Sequence, residues 1–498
     1  MKRLARNVIT TYVARFANVI GLFFLFPLVS NAVPQAEYGV YLLTASLVSI
    51  FVLDLGMAGS TTRFVSIAIE RSAIADLRSV MATSWLFFLG LGAVGACAVV
   101  ASVAVSWAQL ALTDELKEVA FACTAFAAAQ VLFSSALSPN RLCLAGAGRI
   151  DVSNVLQIGQ IVLRFLLTAG IVSFAPDIVW VSLADLATVV AAGGLSWVLR
   201  RRMVSIATTS IMQASRAQFR QMFGLTRDFL VMNIAALVVL QAGNVIVALL
   251  LAPVSIAIFA AAQRIYQVAR ELTNSLTAAL LPAATANHAA DRLESNSQLF
   301  LLGTKYSNAL LAAVLPPVLA FMPALILAWI GVDYSESVLP ALILVASMFV
   351  NNQHLVAVPI LGGQGDLRAF SAMHAIWAMS AIALGWWLTG LVGVAGMAIA
   401  IALPLLLLEP FYVRVALRRL SIESRDYLRA TLLPAFLPAL CLLPVLVISR
   451  WIWPAPPLIW VLIMAVTWTV LYLSIYILFG MSRGERATML SLVGRSTR

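Results

Sequence analysis

The sequence predicts an all-α integral membrane protein of about fourteen transmembrane helices, on three observations. First, its 498 residues are 62% hydrophobic and 11% charged. A soluble domain carries roughly 25% charged residues, so this chain has too little polar surface for a water-facing fold. Second, the apolar residues form runs long enough to cross a bilayer, which takes about 20 residues per helix. Third, the basic residues gather on one side of those runs.

The runs have cores at 9–31, 38–58, 80–107, 118–138, 152–174, 178–199, 226–251, 255–282, 304–330, 338–361, 369–389, 391–413, 430–449 and 457–480. With the N-terminus placed in the cytoplasm, 26 of the 32 Lys and Arg residues fall on cytoplasmic segments and the span ends beside them, Arg141, Arg149 and Arg200 among them. Only Lys117 and Arg450 fall on the opposite side, and Arg15, Arg164, Arg264 and Arg270 lie inside spans. This is the positive-inside asymmetry, and it places both termini in the cytoplasm. It also accounts for the net charge of +11 without nucleic acid as a partner. Arginine outnumbers lysine 29 to 3 amid abundant alanine, which fits a GC-rich bacterial gene and a bacterial inner membrane.

The outward loops have about ten residues or fewer, too short for the outer domain of a membrane glycosyltransferase, polymerase or ligase. The chain therefore reads as a transporter and not an enzyme. The basic stretch Met1–Arg6 precedes an apolar run without a small-residue cleavage site, so that run reads as a first anchor. Cys97, Cys123, Cys143 and Cys441 read as small packing residues, and His288, His354 and His374 are too scattered for a metal site. No cofactor motif is present. The longest loop, 200–225, carries Ile211, Met212, Phe219, Met222 and Phe223 within about 120° at helical spacing, as in an interfacial helix joining two halves.

Those halves show a repeat. Leu144-Ala145-Gly146-Ala147-Gly148-Arg149 follows span four, Leu361-Gly362-Gly363-Gln364-Gly365-Asp366 follows span ten, and the offset is 217. Asp54 and Glu271 are related by the same 217 residues. Six spans per half keep both halves in one orientation, a known transporter plan. The expected organisation is an N-terminal lobe at 1–199, an amphipathic linker at 200–225, a C-terminal lobe at 226–414, and two further spans with a tail at 415–498. The Gly-rich stretches follow no strand and read as helix-to-helix turns, not phosphate cradles.

Polar side chains inside a membrane face a partner or a wet cavity. Asn7, Thr11, Arg15 and Asn18 share one face of span one within about 80°. Asn233, Gln241 and Asn244 do the same in span seven. Gln263, Arg264, Gln267, Arg270, Glu271 and Asn274 share a face of span eight within about 120°. Asn154, Gln157, Gln160, Arg164 and Thr168 share one in span five, while Asp54 and Asp185 are single acids in spans two and six. Four intramembrane arginines favour an anionic group such as phosphate or diphosphate. The expected substrate contacts are Arg15, Asn18, Arg164, Gln263, Arg264, Gln267, Arg270 and Asn274. Asp54 and Glu271 are the candidates for ion coupling.

Three stretches stand out: Glu37-Tyr38-Gly39-Val40-Tyr41, Leu53-Asp54-Leu55-Gly56-Met57 with the downstream Arg63, and Asn244-Val245-Ile246-Val247 followed by Ile258-Phe259-Ala260-Ala261-Ala262-Gln263-Arg264-Ile265. In these the chain resembles the lipid-linked oligosaccharide flippases of polysaccharide biosynthesis, within the multidrug/oligosaccharidyl-lipid/polysaccharide exporter superfamily. Family members often carry an acid where this chain has Gly243 or Asn244. The resemblance implies two six-helix lobes with spans one, two, seven and eight lining a central cavity. It also implies a polyprenyl-diphosphate-linked oligosaccharide as cargo, membrane lipids as surroundings, and a polysaccharide polymerase and glycosyltransferases as pathway partners. Alternatives are a peptidoglycan lipid-precursor flippase and a multidrug exporter relative. The charge asymmetry predicts that a cysteine replacing Arg216 is labelled by a membrane-impermeant reagent only after the cells are opened. Labelling in intact cells would overturn the orientation.

Overall fold

The computed structural model describes residues 2–52, 57–109, 113–204, 211–224, 227–277, 280–290, 292–453 and 456–487. Its helices are α1 (Lys2–Ser30), α2 (Gln35–Phe51), α3 (Met57–Glu70), α4 (Ile74–Gln109), α5 (Asp114–Gly146), α6 (Ile150–Phe174), α7 (Ile178–Met203), α8 (Arg216–Gly224), α9 (Arg227–Leu250) and α10 (Pro253–Thr277). There follow α11 (Leu280–Ala289), α12 (Leu293–Ala320), α13 (Met322–Ile330), α14 (Val338–Gly363), α15 (Arg368–Val392), α16 (Val394–Arg419), α17 (Ser424–Tyr427), α18 (Leu433–Ile452) and α19 (Leu458–Ile475). Among the described residues, 11 helical stretches are long and apolar enough to cross a membrane. The remaining three expected spans correspond to α2, α9 and α10. α2 has 17 residues, the apolar part of α9 is Ile234–Leu250, and α10 is amphipathic. The chain is a multi-pass membrane protein built from helices.

Helices α3 and α11 occupy segments expected as loops. α3 is short and polar on one face, so a search for apolar runs passes over it. Its Met57, Ser60, Thr61, Val65 and Ala68 are nevertheless buried. Span nine, expected at 304–330, begins earlier at Leu293 and breaks at Phe321, where α13 starts. The linker helix α8 is present, but part of its apolar stripe packs on protein. Met222 is fully buried among Met57, Val65 and Met81, and Ser60 donates to the Met222 carbonyl at 2.6 Å. Met212 and Phe219 remain exposed.

The repeat is visible in backbone detail. Gly148 and Gly365 have φ of +74° and +75°, the left-handed conformation that ends a helix. Arg149 N–H donates to Leu144 O at 2.9 Å, and Asp366 N–H to Leu361 O at 3.0 Å, the same closing bond in both halves. Two residues before each turn, a glycine admits the short preceding helix. A Cβ on Gly146 would lie 2.7 Å from Thr62 O on α3, and one on Gly363 would lie 2.8 Å from Thr285 N on α11.

The chain forms two compact bodies, Met1–Ala260 with His374–Met397, and Ala261–Met373 with Ala398–Arg498. This division does not follow the lobe boundaries expected from the repeat. In the first body, α9 is fixed to α2 by Asn244 Nδ2, which donates to Ser46 Oγ at 2.7 Å. The glycine at position 39 lets α2 meet the Pro253 carbonyl, which would lie 2.0 Å from a Cβ there. α15 joins the same body at Gly385, which abuts Ile246 and Met397.

In the second body, the last helices complete the hydrogen bonding of α12. Pro316 and Pro317 lack N–H groups, so the carbonyls of Ala312 and Ala313 lose their helical partners. Trp468 Nε1 donates to Ala312 O at 3.0 Å, and Thr469 Oγ1 to Ala313 O at 3.1 Å. Lipid has no donor to offer those carbonyls. Beyond the last span, Lys305 Nζ pairs with Glu485 at 2.7 Å. Burial alone would raise the Glu485 pKa, but the bonds from Lys305 and Ser482 outweigh it and hold the carboxyl below its usual range. Trp468→Phe is expected to cost about 1–3 kcal/mol by leaving a buried carbonyl unmet. Pro316→Ala, which restores the helical N–H, should remove much of that cost. Thermal unfolding in detergent around the double-mutant cycle tests this, and strict additivity would rule it out.

Candidate functional site

The first body holds a polar cavity of about 580 Å³ inside the membrane region. Residues of α1 to α7 line it. Asn18, Gln130, Ser134, Ser138, Gln157 and Gln160 line it together with Arg141 and Arg164. No Asp or Glu lines it among the described residues. The two arginines differ in their environment. Arg164 Nε and Nη2 donate to Asp185 Oδ1 and Oδ2 at 2.6 and 2.9 Å, a bidentate pair. Tyr41 closes the group by donating to Asp185 at 2.6 Å and accepting from Arg164 at 2.8 Å. The charge of Arg164 is thus neutralised within the protein. Arg141 makes no hydrogen bond or ion pair among the described residues, so its charge is the one the cavity presents.

Arg141 sits five residues before the end of α5, about 8 Å along the axis from that end, and Arg164 is about 21 Å along α6 from its start. Sequence reasoning had counted Arg141 with the cytoplasmic basic residues. Span four was expected to end at 138, but α5 runs on to Gly146 and carries Arg141 within the helix. Asn154 Nδ2 binds Thr10 and Thr11 of α1 at 3.1 and 2.9 Å, so part of the span-five face holds α1 in place. Arg15 is half-buried on α1. Asp54 and the side chains of Asn7 and Asn233 lie outside the described residues. Val52 and Ala58, on either side of Asp54 in sequence, line the cavity.

In the second body, α10 turns Tyr266, Ala269 and Thr273 inward and leaves Arg264, Gln267, Arg270, Glu271 and Asn274 half-exposed. Gln263, expected on the polar face, is only 4% exposed. Arg264 Nη1 donates to Gln267 Oε1 at 3.0 Å, and Asn274 Nδ2 to Glu271 Oε2 at 3.2 Å. Arg270 lies over the Tyr266 ring at 5.9 Å, a cation–π distance. The face is held in orientation from behind. Thr273 and Ser307 donate to Asn352 Oδ1 at 3.0 and 2.7 Å. Asn352 and Gln353 donate to Asn308, and Tyr427 donates to Gln353 at 2.7 Å.

The same network contains an ionisable pair that the sequence reading missed. Glu409 Oε2 lies 2.6 Å from His354 Nδ1, and Glu409 Oε1 accepts the His354 backbone N–H at 2.8 Å. Both side chains are 3% exposed, and Tyr412 stacks on the imidazole at 4.7 Å. The signal was an isolated acid in the apolar run of span twelve, Leu405-Leu406-Leu407-Leu408-Glu409. Such a residue needs a buried partner on another helix.

Fold comparison assigns this architecture to a known group. The structure is similar to the inward-facing conformation of a multidrug resistance MATE family transporter of the MOP superfamily, with a TM-score of 0.68 at 13% identity, over 84% of this chain and 98% of that one. The outward-facing conformation of a multidrug resistance MATE family transporter gives 0.64 at 15% identity, over 84% and 96%. A MOP superfamily transporter from Pyrococcus furiosus gives 0.62 at 14% identity over the same shares. The chain thus has the fold of MATE transporters. No protein-family model and no curated protein matches its sequence.

Glu409→Ala should destabilise the protein by about 3 kcal/mol or more, because it removes the buried carboxylate that meets the His354 ring. Glu409→Gln, which keeps an acceptor, should cost less. Equal losses in thermal unfolding would mean that packing, and not hydrogen bonding, holds this pair.

Proposed function

We propose that the protein is a transporter that moves polyprenyl-diphosphate-linked oligosaccharide units from the cytoplasmic to the outer leaflet of a bacterial inner membrane. The fold is shared with multidrug transporters and is compatible with either cargo. What favours an anionic lipid is the sign of charge in the first body's cavity, where Arg141 has no carboxylate facing it among the described residues. An amphipathic cation would meet that charge in a medium of low dielectric, where repulsion is weakly screened. A diphosphate would be attracted and could take paired donors from guanidinium. The neighbour from Pyrococcus furiosus is reported with a binding pocket of reversed polarity that suggests a different function for that protein. Arg15 in the first body, and Arg264 and Arg270 in the second, are further proposed anion contacts.

Asp54 and Glu271 remain the proposed coupling residues, since moving an anion outward against a gradient needs a driving force and no nucleotide motif is present. A carboxylate that pairs in one conformation and is released into apolar surroundings in another can exchange a proton between them. In proteoliposomes, the wild-type protein should speed the appearance of a fluorescent lipid-diphosphate oligosaccharide in the far leaflet. Arg270→Ala should slow it at least tenfold without loss of protein, Arg270→Lys should restore part of it, and Glu271→Gln should blunt its response to an imposed proton gradient. Transport of a cationic dye, with no movement of the lipid, would instead establish the multidrug reading.

A further inference from the structure

An apolar groove of about 520 Å³ runs between α6 and α7, outside the polar cavity. Its walls are two helical stripes, Val152, Val155 and Leu163 of α6 against Ala191, Leu195 and Met203 of α7. The groove exists because side chains are missing there. A Cβ on Gly159 would meet nothing within 4 Å. One end lies at Asp151, whose charge is met by Arg149 at 3.4 Å. The other reaches Leu163, next to the Arg164–Asp185 pair. From residue 151 to 163 the groove is about 18 Å long. Val155 and Val162 beside it are 59% and 50% exposed, on a helix long and apolar enough to cross a membrane.

Groove and polar cavity share the side chains of Leu156, Gln160 and Ala192 as a common wall. Leu156 lies about 9 Å along α6 from its start, close to the depth of Arg141 in α5, and Gln160 lies about one turn deeper, at about 15 Å. The end of the body that carries Arg149 and Arg200–Arg202 is cytoplasmic by the charge rule. A lipid of the cytoplasmic leaflet has its headgroup at that end and its chain directed to the bilayer centre, the direction in which the groove runs.

We infer that the α6–α7 seam is a loading site for a lipid diphosphate from the cytoplasmic leaflet, with the diphosphate at Arg141 in the polar cavity and the first isoprenoid units of the chain in the apolar groove. The inference rests on the anionic-lipid reading above and adds where the cargo's head and tail are held. A cation that faces no carboxylate among the described residues of a membrane-spanning body calls for an anion, and the groove joined to that cavity calls for hydrocarbon. One amphiphile supplies both. Gln160 stands at the crossing point, where its amide can turn to either side.

The test uses the purified full chain in nanodiscs of zwitterionic lipid, with farnesyl diphosphate and inorganic diphosphate as probes. Farnesyl diphosphate should bind at least tenfold tighter than inorganic diphosphate. Gly159→Leu, whose new side chain enters open space, should remove that preference and leave inorganic diphosphate binding as it was. Arg141→Ala should weaken both probes at least tenfold, and Arg141→Lys should restore part of the loss, with unfolding temperatures confirming that each variant is folded. Should Arg141→Ala fail to fold, Gly159→Leu and Arg141→Lys decide the matter alone. An undiminished farnesyl preference in Gly159→Leu, or unchanged binding in a folded Arg141→Ala, overturns the inference. So does a wild-type protein that binds neither probe. Flipping by Gly159→Leu at the wild-type rate would overturn the loading site and leave the flippase reading standing. Binding as expected without any flipping would do the reverse.

Discussion

Hydrocarbon cannot satisfy a polar group, and the pair between Arg164 and Asp185 shows how far this one constraint organises the molecule. An arginine in the middle of a span is costly unless its charge is met. Here the Nε–Nη2 edge of the guanidinium meets one carboxylate, and Nη2 also meets one phenol. Three helices, α2, α6 and α7, must therefore hold a fixed relation for any of the three side chains to be satisfied. Losing one partner would leave the others buried and unmet, which costs far more than the pair contributes over an apolar equivalent. The cluster specifies the arrangement of helices more than it stabilises the fold. It also sets the charge of the cavity beside it, because a neutralised Arg164 leaves Arg141 as the effective cation.

The same constraint explains features of the second body that have no charge at all. Consecutive prolines in α12 deprive two carbonyls of their helical partners, and α19 meets both with a tryptophan and a threonine. The extra C-terminal helices are therefore not a loose appendage. They complete the hydrogen bonding of a helix that belongs to the second half of the repeat. Asn308, Asn352 and Gln353 likewise form a closed set in which each amide finds another, and through Thr273 this set fixes which face of α10 is left exposed.

What the sequence made legible follows from how strongly each feature is written in hydropathy. Long apolar runs located the spans, and the 217-residue offset located two turns whose backbone angles agree within 1°. α3 and α11 were not legible, since a short helix lying against protein has neither the length nor the apolarity of a span. The break at Phe321 was hidden because α13 is as apolar as the helix before it. For the candidate site, helical spacing grouped residues on α6 and α10, but the structure buries Gln263 and Thr168 of those groups and leaves Gln157, Gln160 and Arg164 on the cavity. What could not be read was which members are consumed by partners. Arg164 lines the cavity as a member of the α6 face, but its partners Asp185 and Tyr41 lie on α7 and α2, 21 and 123 residues away. Arg141 looked like a loop charge, and its exposure to a cavity depends on α1, α6 and α7, which are distant in sequence. Glu409 was legible as a lone acid in a leucine run, but its histidine partner lies 55 residues away.

The sign of the cavity then bears on the choice among cargoes in a way that fold likeness does not. Relatives at 13–15% identity share the path of the backbone and little of the chemistry along it. In a cavity walled by amides and hydroxyls, each of those groups can turn to suit a cation or an anion, so they carry little discrimination. A guanidinium cannot turn its charge away and does not deprotonate at physiological pH. One such group, held about 8 Å from the helix end where the dielectric is falling, contributes more to selection by charge than the remaining polar lining.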